Sequence, residues 1–235
     1  MQREKAPGAL DSPVFRNEWK HLISSSDRAQ LRTRLSAVAY PDPHAIDGRY
    51  KIRSLYFDTV SDRVLREKID GVSVREKFRI RCYNDDTSVI FLEKKCKQSG
   101  AGYKLQTRLT REQAGRIVKG DIDWMRESGD GLLVQLYIKM RGEGLHPKTI
   151  VDYTREPFIY PAGNVRVTID YDIRTGLWAT DFLNPRCLTI PAGNEIILEV
   201  KWDAYLPSII RSAVQLTDTR TTAFSKYQAC RGRRD

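Results

Sequence analysis

The chain has 235 residues, 40% of them apolar and 30% charged, and its 40 Lys and Arg against 30 Asp and Glu leave a formal net charge of +10. That apolar share supports a core and excludes wholesale disorder. No apolar run approaches the roughly 18 residues of a membrane helix, and the opening Met1–Gly8 stretch lacks the apolar segment of a secretory signal, so a cytoplasmic protein without a membrane span is expected.

Residues 1–13 read as a flexible lead-in. A first strand is predicted over 16–22. A helix follows over 24–39, with Ser and Asp at its start, an apolar stripe of Leu31, Leu35 and Val38, and Pro41 beyond its end. After a Pro- and Asp-rich loop, 50–59 reads as a strand. The stretch 62–70 is ambiguous, and Asp70-Gly71 reads as a hairpin turn. Strands are predicted over 73–83, 89–97 and 103–109, joined by an Asn84-Asp85-Asp86 turn and a flexible 98–102 connection. Thr110-Arg111-Glu112-Gln113 matches a capping box and opens a short helix to about 119, followed by a second over 132–141. Three more strands, 148–158, 164–174 and 195–202, precede closing helices over 206–216 and 223–230. The eight strands with hairpin spacing form one domain over 14–230 ahead of a basic tail, 231–235. The expected class is α+β, with an antiparallel sheet or barrel rather than βαβ units.

Side chains two apart on a strand share a face. Over 73–83 one face holds Arg75, Lys77, Arg79 and Arg81, and the other Val74, Glu76, Phe78, Ile80 and Cys82. The theme recurs with Arg16, Glu18 and Lys20; Glu93, Lys95 and Lys97; Lys104, Gln106 and Arg108; Tyr153 and Arg155; Arg166, Thr168, Asp170, Asp172 and Arg174; and Glu199 with Lys201. Such faces fit either a solvated sheet or a groove lined for an anion. Like charges opposed on neighbouring strands are destabilising, and their repetition favours a bound polyanion that neutralises them. Glu18, Glu93, Asp170 and Glu199 lie among these cations, where carboxylate oxygens serve either as ion-pair partners or as ligands for Mg²⁺ or Mn²⁺ beside phosphate. There is no P-loop and no Ser/His/Asp or Cys/His set. Cys82, Cys96, Cys187 and Cys230 form no C-x-x-C pair, so neither a zinc site nor a disulfide scaffold is expected.

Eight short segments in order carry a family resemblance: Arg16-x-Glu18-x-Lys20, Ser54-Leu55-Tyr56-Phe57-Asp58-Thr59, Arg75-x-Lys77-x-Arg79-x-Arg81, Leu92-Glu93-Lys94-Lys95, Asp152-Tyr153-x-Arg155, Arg166-x-Thr168-x-Asp170, Leu198-Glu199-Val200-Lys201 and Ser225-Lys226-Tyr227. The chain resembles the triphosphate tunnel metalloenzymes, and within them the catalytic domain of the vacuolar transporter chaperone (VTC) polyphosphate polymerases. The resemblance implies an eight-stranded antiparallel β-barrel with flanking helices and a basic interior tunnel. It implies catalytic roles for Arg79, Arg81, Lys95, Arg155, Arg166 and Lys226, and phosphate binding by Lys20, Arg53, Lys77, Lys104 and Lys201. It also implies a Mn²⁺ or Mg²⁺ ion on Glu199, with Asp170 and Glu18 as further candidate ligands. The implied activity is transfer of the ATP γ-phosphate onto polyphosphate. A triphosphatase, or a module that binds polyphosphate or nucleic acid without turnover, are the alternatives, and nucleic acid is the least expected partner. The hydrolase branch typically begins Glu-x-Glu-x-Lys, so Arg16 in the first position leans to the polymerase branch.

Overall fold

From Lys77 to Cys82 charged and apolar side chains alternate one for one, which gives a helix no coherent apolar stripe and a strand two distinct faces. In the computed structural model, which describes residues 16–98, 101–216 and 220–232, this segment lies in the strand β3 (Val74–Tyr83). The expected lead-in, 1–13, and residues 233–235 of the expected tail lie outside the described residues. Seven other long strands form by the same pattern: β1 (Asn17–Ile23), β2 (Tyr50–Asp58), β4 (Asp86–Gln98), β5 (Ala101–Leu109), β6 (His146–Tyr160), β7 (Val165–Thr175) and β8 (Ile196–Trp202). They make one sheet in the order β1-β8-β7-β6-β2-β3-β4-β5, with every pairing antiparallel.

Among the described residues no ladder joins β5 to β1. The sheet is therefore a curled half-barrel with flanking helices, and the antiparallel eight-stranded α+β fold expected from the sequence is the one observed. Twist curls it strongly. Lys95 of β4 comes close enough to Lys201 of β8 for that charge to be the largest influence on its protonation.

The convex face is apolar and covered by helices. α1 (Ser25–Val38), closed at its start by a Ser24–Asp27 capping box, packs with α5 (Ser208–Ala213) over β1, β7 and β8, burying Leu31, Leu35, Ile169, Leu198, Val200 and Ile210. α3 (Arg111–Val118), with the Thr110–Gln113 capping box expected from the sequence, joins α4 (Gly131–Glu143) over β3, β4 and β5, burying Phe78, Ile80, Leu92, Leu109, Ile117 and Leu136.

Two local expectations are corrected. Asp70-Gly71 does not turn a hairpin. It ends α2 (Arg63–Ile69), with Gly71 at φ 71° and the Val72 amide donating to the Glu67 carbonyl at 3.0 Å. The left-handed glycine that suits a hairpin also closes a helix, and here it does the latter. Arg231 belongs to the fold rather than to a tail: it is the last residue of α6 (Lys226–Arg231), buried, with its guanidinium 2.9 Å from Asp62 Oδ1 and over the Trp178 ring.

Candidate functional site

The concave face of the half-barrel is built from the inward residues of all eight strands and the start of α6. At its centre β3 directs Arg79 and Arg81 inward, both buried. Arg79 Nε donates to Glu93 Oε2 at 2.6 Å and its Nη1 to the Tyr56 hydroxyl at 2.8 Å. Arg81 Nε donates to Ser54 Oγ at 3.1 Å and its Nη2 to the Tyr153 hydroxyl at 3.0 Å. Burial opposes charge on Glu93, yet Arg79 and Arg81 hold its carboxyl far below the usual carboxylate range. The guanidiniums are thus fixed before any ligand arrives.

One flank of the groove is closely charge-paired. Arg155 of β6 forks onto Asp170 of β7 through Nε at 2.6 Å and Nη2 at 2.7 Å, and Lys226 of α6 reaches the same carboxylate at 2.6 Å. Burial would raise the Asp170 carboxyl, but these two cations bring it down to about 2. Beside it, Glu199 of β8 takes Lys201 at 2.7 Å and Lys20 of β1 at 3.0 Å, and Glu18 takes the same Lys20 at 2.6 Å. Burial disfavours the Lys20 ammonium, but Glu199 and Glu18 outweigh it and push its pKa up. Lys226 also lies over the Tyr153 ring at 4.6 Å.

The other flank is unpaired. Lys77 and Lys95 are directly opposed on β3 and β4, and neither has a carboxylate partner among the described residues. Burial, then the nearby Arg79, Lys20 and Lys226, pulls Lys77 down to about 8. The Lys201 charge and burial hold Lys95 well below its ordinary value. Tyr56, 5.5 Å below the Lys77 ammonium, is raised by burial but brought down to about 8 by Arg79 and Lys77. Excess positive charge in a low-dielectric groove favours an anion over a cation or a neutral group.

The sequence-predicted residues sort as follows. Lys20, Lys77, Arg79, Arg81, Lys95, Arg155, Lys201, Lys226, Glu18, Asp170 and Glu199 come together on the concave face. Lys104 and Arg166 sit at its rim, on Glu93 at 3.2 Å and Asp42 at 2.9 Å. Arg53 does not join them. It alternates to the convex side of β2, buried in a fork onto Asp152 and a bond to the Asn184 carbonyl at 2.7 Å, and its role is structural. Arg174 is also lost from the predicted face. Asp172 sits at φ 49° in a bulge that shifts the β6–β7 register, so Arg174 pairs opposite Asp152. Arg16 is tied to Asp203 at 2.8 Å. Sequence reasoning assigned no role to Ser54, Tyr50 or the Thr168 hydroxyl, which is buried on the concave face without a hydrogen-bond partner among the described residues. Inward alternation on β2 and β7 is the signal that finds them.

Of the three carboxylates predicted for a metal, Glu18 and Glu199 fit a hard divalent ion: they are neighbouring oxygen donors at the edge of the groove, and such ions take one or two carboxylates with phosphate oxygens completing the set. Both oxygens of Glu199 are also engaged, but by the single ammoniums of Lys201 at 2.7 Å and Lys20 at 3.0 Å, whereas Asp170 is wholly buried under the two-pronged Arg155 fork as well as Lys226 and is the poorer ligand. Among the described residues no three His, Cys, Asp or Glu side chains form a metal-holding group. No helix there is long and apolar enough to cross a membrane.

A family model described as "VTC domain" matches residues 15–232. No curated protein matches the chain. Among solved structures, a proposed adenylate cyclase from Bacillus halodurans is 12% identical, with 80% of each chain covered and a TM-score of 0.47. A proposed adenylate cyclase from Vibrio parahaemolyticus is 9% identical, covering 86% of this chain and 83% of its own, with a TM-score of 0.45. A protein of Pyrococcus horikoshii OT3 is 14% identical, covering 85% and 84%, with a TM-score of 0.41. Likeness this distant bears on neither activity nor substrate.

Proposed function

Because the chain belongs to the VTC domain family, we propose that it is a phosphotransferase that moves the γ-phosphate of ATP onto the end of a polyphosphate chain held in the concave groove. The observation that carries this reading is the unpaired Lys77–Lys95 couple beside the pre-set Arg79 and Arg81. Four cations converge there with one carboxylate, Glu93, between them, and an anion is the missing partner.

The chemistry asked of the protein is positioning and charge stabilisation, because phosphoryl transfer spreads charge over equatorial oxygens in its transition state. Arg79 and Arg81 present planar forks to those oxygens, and Lys77 and Lys95 add mobile point charges. On the paired flank, Arg155 and Lys226 are held by Asp170, and Lys20 and Lys201 by Glu199, at positions where they flank a bound chain. The accepting end of a phosphate chain is already an ionised nucleophile, so no general base is required of the protein. Mn²⁺ or Mg²⁺ on Glu199 and Glu18, when bound, would supply neutralisation of phosphate charge.

Purified protein given ATP and Mn²⁺ is expected to form acid-stable polyphosphate, and both Arg81→Ala and Glu199→Gln are expected to abolish it. Release of phosphate without polymer would replace the reading with a triphosphatase. Binding of polyphosphate with no turnover would replace it with a binding module.

A further inference from the structure

The cationic rungs of β3 and β4 do not stop at the groove. Arg75 stands directly opposite Lys97, as Lys77 stands opposite Lys95, so two consecutive positions on this ladder oppose like charges. Cross-strand pairs of this kind are destabilising unless something neutralises them. Alternation places Arg75 and Lys97 on the same face as Arg79 and Arg81. Exposure rises outward along that face: Arg79 and Arg81 are buried, Arg75 is half-buried and Lys97 is exposed. Lys68, near the end of α2, completes the cluster. α2 packs against β3, and after burial the charges of Arg75, Lys97 and Lys20 are what depress the protonation of Lys68. Among the described residues Lys68, Arg75 and Lys97 have no carboxylate partner, and the hydrogen bond found for Arg75 goes to the Val72 carbonyl at 2.5 Å.

The other end of the same strands is built differently. There Arg166 is paired with Asp42 at 2.9 Å, while Lys51, which shares the outward parity of Arg53, is paired with Asp85 at 3.1 Å away from the groove. Arg166 is thus neutralised by the protein itself, whereas Arg75, Lys97 and Lys68 are left positive.

The geometry points to a binding track for inorganic polyphosphate that leaves the groove over Arg75, Lys97 and Lys68. This inference rests on the phosphate-binding reading proposed above and extends it to the path of the chain. From Arg75 to Arg81 the strand rises roughly 20 Å over six residues, a longer stretch than one triphosphate group occupies, so the outer rungs serve phosphates beyond those in the groove. The three outer positions carry no aromatic ring on which a base could stack, which favours an inorganic chain over nucleic acid.

The test is to titrate inorganic triphosphate, long-chain polyphosphate and a single-stranded oligonucleotide against wild type, Arg75→Gln/Lys97→Gln, Lys68→Gln and, as a control, Lys51→Gln. The double variant is expected to lose polyphosphate affinity at least tenfold more than triphosphate affinity, with a shallower salt dependence. Lys68→Gln is expected to show a smaller selective loss, and Lys51→Gln none. Equal losses for triphosphate and polyphosphate, or none for either, would overturn the track while leaving the groove intact. Tighter binding of the oligonucleotide, lost in the double variant, would overturn it in favour of a nucleic-acid surface. A wild-type protein that binds neither phosphate compound overturns the proposed function itself, and the track with it. The double variant removes a repulsive pair and is expected to melt no lower than wild type; the single Lys68→Gln change gives an independent reading if it does.

Discussion

The two flanks of the groove use the same residue types and end in opposite electrostatic states. On β1, β8, β6 and α6, Lys20, Lys201, Arg155 and Lys226 are each within 3.0 Å of a carboxylate. On β3 and β4, Lys77 and Lys95 face each other with no such partner among the described residues. The paired flank sets geometry: its cations are held in place at little net charge. The unpaired flank stores repulsion that a bound anion relieves. If the groove binds phosphate as proposed, stability resides on the first flank and affinity on the second, and changes to the two should separate these properties.

The largest expected effect breaks the paired flank. Asp170→Ala leaves Arg155 and Lys226 buried and uncompensated, and should destabilise the fold by about 3–5 kcal/mol in denaturant unfolding. A much smaller change would mean that water reaches this pair and that the flank is not a structural anchor. The same group sets the acid limit. Its carboxyl titrates at about 2 in the fold against an ordinary 3.8, so its contribution is complete above pH 3.8 and is lost as pH falls towards 2. The wild-type minus Asp170→Asn stability difference should shrink over that window.

The next effect concerns the unpaired flank. Lys77 titrates at about 8 in the fold and at 10.5 ordinarily, so the folded state disfavours its charge. That penalty is complete below pH 8 and is relieved as pH rises towards 10.5, where the unfolded chain binds more protons than the folded one. Without phosphate, wild-type stability should therefore climb relative to Lys77→Met between pH 8 and 10.5; thermal melts across that range that ran parallel would contradict the assignment. The smallest effect is expected from Lys95→Met. Removing one partner of a repulsive pair should leave stability unchanged or raise it by up to about 1 kcal/mol, while triphosphate affinity falls. A destabilised variant with unaltered affinity would reverse the comparison between the flanks.

Much of this molecule was legible in the chain. The eight long strands, α1, the α3 and α4 insert and the cationic stripe of β3 all follow from local signals, a period of two, a period of 3.6 and a capping box, that neighbours in sequence carry by themselves. Arg79, Arg81 and Lys77 were readable as one face for the same reason. The errors share a different cause. Arg53 looked like another cation of the groove, yet the strand parity that turns Ser54 and Tyr56 inward turns Arg53 outward onto Asp152, a partner 99 residues away. Arg174 changed faces because one residue in a left-handed conformation, Asp172, inserted a bulge.

The sequence by itself determined which residues alternate, and so that a basic face exists. Only the tertiary structure decided which of its cations are spoken for. Alternation is fixed by the geometry of a single strand, whereas an ion pair needs the register and curl of a sheet that sets Asp170 against Arg155 and Lys226, and leaves Lys95, among the described residues, opposite Lys77 and near Lys201 and Arg79 with Glu199 a weaker influence.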